Sequence, residues 1–168
     1  LIESQGGQPK KASLEAVGAA QAAGGDVVSV SLGSDNYSPD AAAEAIAKVV
    51  TDRGAKAFVT AATSTGRDLA PRVAALVGST LFSACTGVQA DGDSFTVTRP
   101  WLAGKRPATL RSKAPVLCAT LRRNVFEAAA DAGATEEIAS SSERASSRTL
   151  GTSCSAAGGS MTRWYMAA

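Results

Sequence analysis

Lys56-Ala-Phe-Val-Thr-Ala-Ala-Thr-Ser-Thr-Gly-Arg-Asp-Leu-Ala-Pro-Arg-Val-Ala-Ala-Leu-Val-Gly78 reads as a strand, a hydroxyl-rich turn and a helix. Residues 56–62 form a short apolar run, the pattern of a strand buried on both faces. Thr63, Ser64, Thr65 and Gly66 carry turn chemistry. Beyond them Leu69, Val73, Leu76 and Val77 recur at helical spacing and are expected to face inward. Pro71 bears on where the helix starts. A first-turn N–H has no intrahelical acceptor, so proline is harmless there and disruptive further in. The expected cap is therefore Arg67 or Asp68, with Asp68 the better capping side chain. Gly78 is the expected stop.

Similar units lie on either side. Residues 13–23 read as a helix that Ser13 caps or that starts slightly earlier, with Leu14 and Val17 inward. Gly24-Gly25 ends it. Residues 26–32 form a second strand through Val27, Val28, Val30 and Leu32. Residues 38–53 form a helix with Ser38 as cap and Pro39 in the first position. Ala42, Ile46, Val49 and Val50 mark its buried face. Residues 80–88 read as a strand, Asp91-Gly92-Asp93 as a tight turn, and residues 94–99 and 101–111 as strands broken near Pro100 and at Ala103-Gly104. Residues 114–120 make a last strand. Repeated strand–helix units followed by a hairpin give an α/β fold: a mainly parallel sheet flanked by helices, with antiparallel strands appended.

Composition sets the bounds. The chain has 168 residues, enough for one domain with a real core. Aromatic residues are 5% against 45% apolar overall, so the core rests on Ala, Val and Leu, each burying little area. The net charge of +2 is spread along the chain and gives no basis for nucleic-acid binding. With no histidine, and with Cys85, Cys118 and Cys154 at no metal-ligand spacing, a zinc site or a histidine triad has no residues to draw on. Cys85 and Cys118 sit in apolar runs and read as buried reduced thiols. No apolar run is long enough for membrane insertion, and nothing has the pattern of a signal peptide.

Thr63-Ser-Thr-Gly-Arg-Asp-Leu-Ala-Pro-Arg72 resembles the signature segment in the N-terminal domain of the electron transfer flavoprotein alpha subunit. Phe95-Thr-Val-Thr-Arg-Pro-Trp-Leu-Ala-Gly-Lys-Arg-Pro-Ala-Thr-Leu-Arg111 is similar to that family's hairpin, and Asn124-Val-Phe-Glu127 to its exit from the domain. The resemblance implies an adenine-nucleotide-hydrolase-like sandwich over residues 1–127. It implies an electron carrier rather than an enzyme. FAD is held mainly by a second domain and passes electrons from flavin dehydrogenases, including those of fatty-acid β-oxidation. In the family the partner is a beta subunit, which the resemblance implies here. The family is cytoplasmic in bacteria and lies in the mitochondrial matrix in eukaryotes.

The chain departs from that pattern in three places. It opens on Leu1-Ile2-Glu3, which resembles the end of the family's first strand, so that strand is expected to be clipped. It passes from Gly33-Ser34 directly to Tyr37-Ser-Pro-Asp-Ala-Ala-Ala43, where the family has a further helix and strand. Residues 128–168 form a Ser/Ala/Gly-rich tail whose composition favours disorder. One set of allowed codons for residues 145–160, read two nucleotides on, spells Glu-Leu-Ala-Asp-Ala-Gly-His-Ile-Val-Phe-Ser-Gly-Gly-Arg-Gln, close to the family's entry into its second domain. A frame change near Arg144 is the hypothesis this suggests. No flavin-binding motif of the second domain is present, so no catalytic, cofactor or metal residue is carried over.

Two functional readings stay open. One is a truncated alpha subunit that serves as a scaffold and subunit interface and is redox-silent alone. The other is a stand-alone nucleotide-binding module using the loop after Ala62, with hydroxyls, Gly66 and Arg67 at a helix N-terminus. That loop lacks phosphate-loop spacing, and a capped helix with a surface-paired arginine is the preferred reading. Lys105, Arg106 and Arg111 read as solvated strand charges rather than an anion site. Phe95 and Trp101 are expected to pack against the sheet. Trp164-Tyr165 have no pattern around them.

Overall fold

Alternation of short Val/Ala-rich runs with longer amphipathic ones gives eleven strands and three helices among the residues described in a computed structural model. These are residues 2–5, 8–24, 26–32, 38–130, 135–138 and 163–166. In chain order they are β1 (Ser4–Gln5), β2 (Gln8–Pro9), α1 (Lys11–Ala22), β3 (Asp26–Leu32), α2 (Pro39–Asp52), β4 (Ala57–Ala61), α3 (Ser64–Leu76), β5 (Leu81–Cys85), β6 (Gly87–Asp91), β7 (Ser94–Trp101), β8 (Arg106–Ser112), β9 (Leu117–Leu121), β10 (Thr135–Ile138) and β11 (Arg163–Met166).

The main sheet has the order β10-β3-β11-β4-β9-β5, and each neighbouring pair in it is parallel. Every residue of β4 and β9 is buried, as strands covered on both faces require. Helix α1 packs on β3 and β4; α3 packs on β4, β9 and β5, with α2 against α3. Phe58, Ile46, Leu69, Leu117, Val17, Val30 and Val73 are the largest fully buried apolar side chains of this layer. Most of the remaining core is alanine, which lets helix and sheet approach closely. At Gly18 of α1 a Cβ would stand 2.1 Å from the Glu127 carbonyl oxygen, and the Ala129 N–H donates to the Leu14 carbonyl at 3.0 Å. These contacts fasten the chain leaving β9 to α1.

The antiparallel sheet β6-β7-β8 is a meander joined to β5 through Thr86. The expected strand over 80–88 is therefore two strands in different sheets. Ala84 takes φ +54°, and the Thr86 N–H donates to the Thr98 carbonyl at 2.8 Å, which turns the chain from one sheet to the other. Gly92-Asp93 makes the two-residue turn, with Asp91 opposite Ser94 and Gly92 at φ +60°. The expected break at Pro100 is absent. β7 continues to Trp101, because β6 pairs only as far as Thr98 and Pro100 therefore needs no donor on that side. The break at Leu102–Lys105 is present.

Helix α3 starts earlier than Pro71 suggested. Thr63, not Arg67 or Asp68, is the N-cap, and Pro71 lies inside the helix. The Thr63 hydroxyl accepts the Gly66 N–H at 3.0 Å and fixes the helix start, and Pro71 lies on the exposed face of the helix. Leu76 is exposed rather than inward, at the helix end. Trp101 is half exposed beyond the end of β6, while Phe95 is buried. Of residues 128–168 the structure describes 128–130 and the two strands that flank β3; residues 139–162, with Cys154, lie outside the described residues.

Candidate functional site

The turn after β4 is clamped by a carboxylate from the start of the chain. Glu3 accepts the Thr63 hydroxyl proton and, at 2.9 Å, a proton of the Lys10 ammonium. Its own N–H donates to the Ser13 hydroxyl at 2.8 Å. Burial acts to raise the Glu3 pKa. Hydrogen bonds from Thr63, Lys10 and Thr65, with the Lys10 charge, outweigh it and hold the group below the ordinary 4.5. An internal anion thus sits at the N-terminus of α3, where dipole and hydroxyls favour one. Gly66 is required here: a Cβ would meet the Ala61 carbonyl oxygen at 2.1 Å.

Next to this turn, at the C-terminal ends of β4, β9 and β5, lies a cleft of about 350 Å³. Ala62, Arg67, Ala84, Pro100, Arg122, Arg123 and Asn124 line it. Arg67 comes from the first turn of α3, and Arg122 and Arg123 from the exit of β9. The backbone around it is fixed. The Ala62 N–H donates to the Leu121 carbonyl at 2.7 Å, Arg122 N–H to the Cys85 carbonyl at 2.9 Å, and Asn124 N–H to Glu15 Oε2 at 2.7 Å. Asn124 holds φ +59° and Ala84 φ +54°. Sequence reasoning singled out Arg67 but gave no role to Arg122 and Arg123, which precede the segment that resembles the domain exit. Two arginines directly after a wholly buried strand were the available clue.

The other candidates do not converge. Lys105 and Arg106 are exposed, and Arg111 pairs with Asp91 at 3.5 Å and donates to the Ser94 hydroxyl at 2.8 Å. Arg99 stacks its guanidinium 5.9 Å from the centre of the Trp101 ring. Arg72 bridges α2 and α3 through Asp40 and Asp68; Asp40, then Asp68, raise its pKa. Cys85 and Cys118 are free and buried. Burial pushes Cys85 up to about 12 against the opposing charge of Arg99, and Cys118 up to about 11 against a hydrogen bond with Ser79. Neither is a nucleophile at neutral pH. Among the described residues no group of His, Cys, Asp and Glu could hold a metal ion, and no helix is long and apolar enough to cross a membrane.

Fold and cleft together define an α/β module with a polar cleft at the C-terminal end of its parallel sheet. The electron transfer flavoprotein domain matches residues 35–145, and the chain belongs to the electron transfer flavoprotein family. A probable electron transfer flavoprotein subunit alpha, mitochondrial, from Schizosaccharomyces pombe is 29% identical over 160 residues, covering 79% of this chain and 46% of the relative. A protein of the same description from Cryptococcus neoformans var. neoformans serotype D is 27% identical over 168 residues, 82% of this chain and 48% of the relative. An electron transfer flavoprotein subunit alpha from Thermoanaerobacterium thermosaccharolyticum is 33% identical over 97 residues, 56% and 29%. The chain spans about half the length of the fungal relatives it matches.

Proposed function

We propose that this chain is the supporting half of an electron transfer flavoprotein alpha subunit, which packs against a beta subunit and holds no FAD by itself. The observation that carries the reading is the family match over residues 35–145 in a chain that spans 46% of its fission-yeast relative. An electron carrier needs a cofactor for the redox step, and the protein's part is to hold and tune it. The cleft among the described residues is lined by three arginines, Asn124, Pro100 and two alanines, a charged lining unlike an isoalloxazine slot. FAD and the contacts with flavin dehydrogenases then belong to the part of the family not matched here. In a eukaryote the product would work in the mitochondrial matrix, in line with the names of the fungal relatives; in a bacterium, in the cytoplasm.

The loss of a helix–strand unit after Gly33 fits two observations. The 160-residue alignment with the fission-yeast relative takes in 79% of this 168-residue chain, which is fewer than 160 residues, so the chain carries gaps in that alignment. The place beside β3 at the edge of the sheet is taken by β10, from beyond residue 130. We take residues 1–127 as the family domain and 128–168 as its tail, of which β10 and β11 join the main sheet. The family match stops at residue 145, next to the proposed frame change at Arg144. The coding sequence tests this part of the reading. A gene in which no frame reads Ser-Gly-Gly-Arg beyond codon 144 rules out the frame change.

Co-expression with a cognate beta subunit tests the function. The expected product is a weak complex whose flavin absorbance, if any, is no greater than that of the beta subunit alone. Failure of the two chains to associate would refute the interface role, and a yellow isolated chain would refute the absence of a flavin site.

A further inference from the structure

We propose that the cleft lined by Arg67, Arg122 and Arg123 binds the phosphate group of a small molecule. The proposal concerns this chain alone and does not depend on the subunit reading. Three guanidinium side chains from two elements line one cleft, and no carboxylate is among the lining residues. None of the three makes an ion pair or a side-chain hydrogen bond among the described residues. Arg72 and Arg111, by contrast, are matched by Asp40, Asp68 and Asp91. Like charges gathered without a counter-charge repel one another, and an anion between them removes that cost.

The chemistry selects phosphate. Guanidinium forks match tetrahedral oxyanions through paired charge-assisted hydrogen bonds, and a doubly charged group can engage more than one of them. The cleft volume suits a small molecule rather than a peptide segment. Its place, outside the carboxyl ends of parallel strands, is where open α/β sheets hold ligands. Two lining residues without the freedom of glycine, Ala84 and Asn124, hold left-handed backbone, and such conformations gather at ligand clamps. The site is separate from the Thr63 turn, whose hydroxyl is already engaged by Glu3.

Calorimetric titration of the full chain with inorganic pyrophosphate and, separately, with inorganic phosphate tests the proposal. Saturable binding at one site is expected, tighter for pyrophosphate. Arg122→Gln and Arg123→Gln should each weaken it about tenfold or more, the size of one lost charge-assisted hydrogen bond. All three arginines are exposed, so the unfolding midpoint should hold. Arg111→Gln, on β8, controls for general electrostatic attraction. No saturable heat with either probe, or affinities for Arg122→Gln and Arg123→Gln equal to that of Arg111→Gln, would overturn the assignment.

Discussion

Replacing Gly66 by alanine separates local helix preference from the packing described above. Helix propensity alone predicts a gain of up to about 1 kcal/mol for Gly→Ala inside a helix. The geometry predicts the opposite sign. The new Cβ would stand 2.1 Å from the Ala61 carbonyl oxygen, 3.0 Å from Thr60 Oγ1 and 3.2 Å from Thr63 Oγ1. The first of these is backbone, and that oxygen also accepts the Thr63 N–H at 2.8 Å. Relief needs α3 to move away from the end of β4, which strains a turn that Glu3 and Thr63 hold together. Overpacking of this kind costs roughly 1–3 kcal/mol, and loss of the Thr63 cap on Gly66 about 1 kcal/mol more. Against the propensity gain, the net loss comes to about 2 kcal/mol, or a fall of roughly 4–8 °C in the unfolding midpoint for a chain of this size. Urea titration followed by circular dichroism measures it. A Gly66→Ala protein as stable as the parent, or more so, would show that α3 is not seated on β4 as described.

Acid sensitivity follows from Glu3. Its folded pKa lies below 4.5, so the stability it contributes is present above that value and is lost as pH falls through the folded pKa; Glu3→Gln should lower the midpoint at neutral pH and bring the two proteins together in acid. A gap that persists at low pH would contradict this. Cys85 and Cys118, with pKa values pushed to about 12 and about 11, should resist alkylation at neutral pH until the chain is unfolded, as peptide mass mapping would report. Ending the chain before Arg163 removes β11, which pairs with both β3 and β4, and exposes strand edges inside the sheet; faster amide exchange in β3 and β4 is expected, and unchanged exchange would place β11 elsewhere.

Much of the fold was legible in residues 11–121, because strand and helix units there carry strong patterns. Ala57–Ala61 reads as a buried strand since no polar residue but Thr60 interrupts it, and Pro39 and Gly54 bracket α2 by rules of backbone geometry. Errors came where a tertiary contact overrode a local rule. Pro71 is tolerated inside α3 because the Thr63 cap and the seat of Gly66 fix the helix start, and neither contact is visible in a one-dimensional pattern. Pro100 is tolerated because its strand has no partner on one side there, which depends on where β6 ends. Trp101 looked like core by its chemistry but lies beyond the neighbouring strand. Strand order was not readable either. β10 and β11 are four-residue strands that pair with β3 from far along the chain, a partnership no local pattern reveals. The cleft was half legible: Arg67 stood out beside turn hydroxyls, whereas Arg122 and Arg123 gain meaning only once β9 is seen beside β4 and β5.

We propose that this chain supports and pairs but does not itself grip a flavin. Size-exclusion chromatography of the chain mixed with its cognate beta subunit, with absorbance recorded across the visible range, tests it most directly. Co-elution of the two chains, together with a colourless peak when this chain is run alone after incubation with FAD, is the predicted result. Flavin retained by the isolated chain, or two chains that elute separately at every concentration, would contradict it.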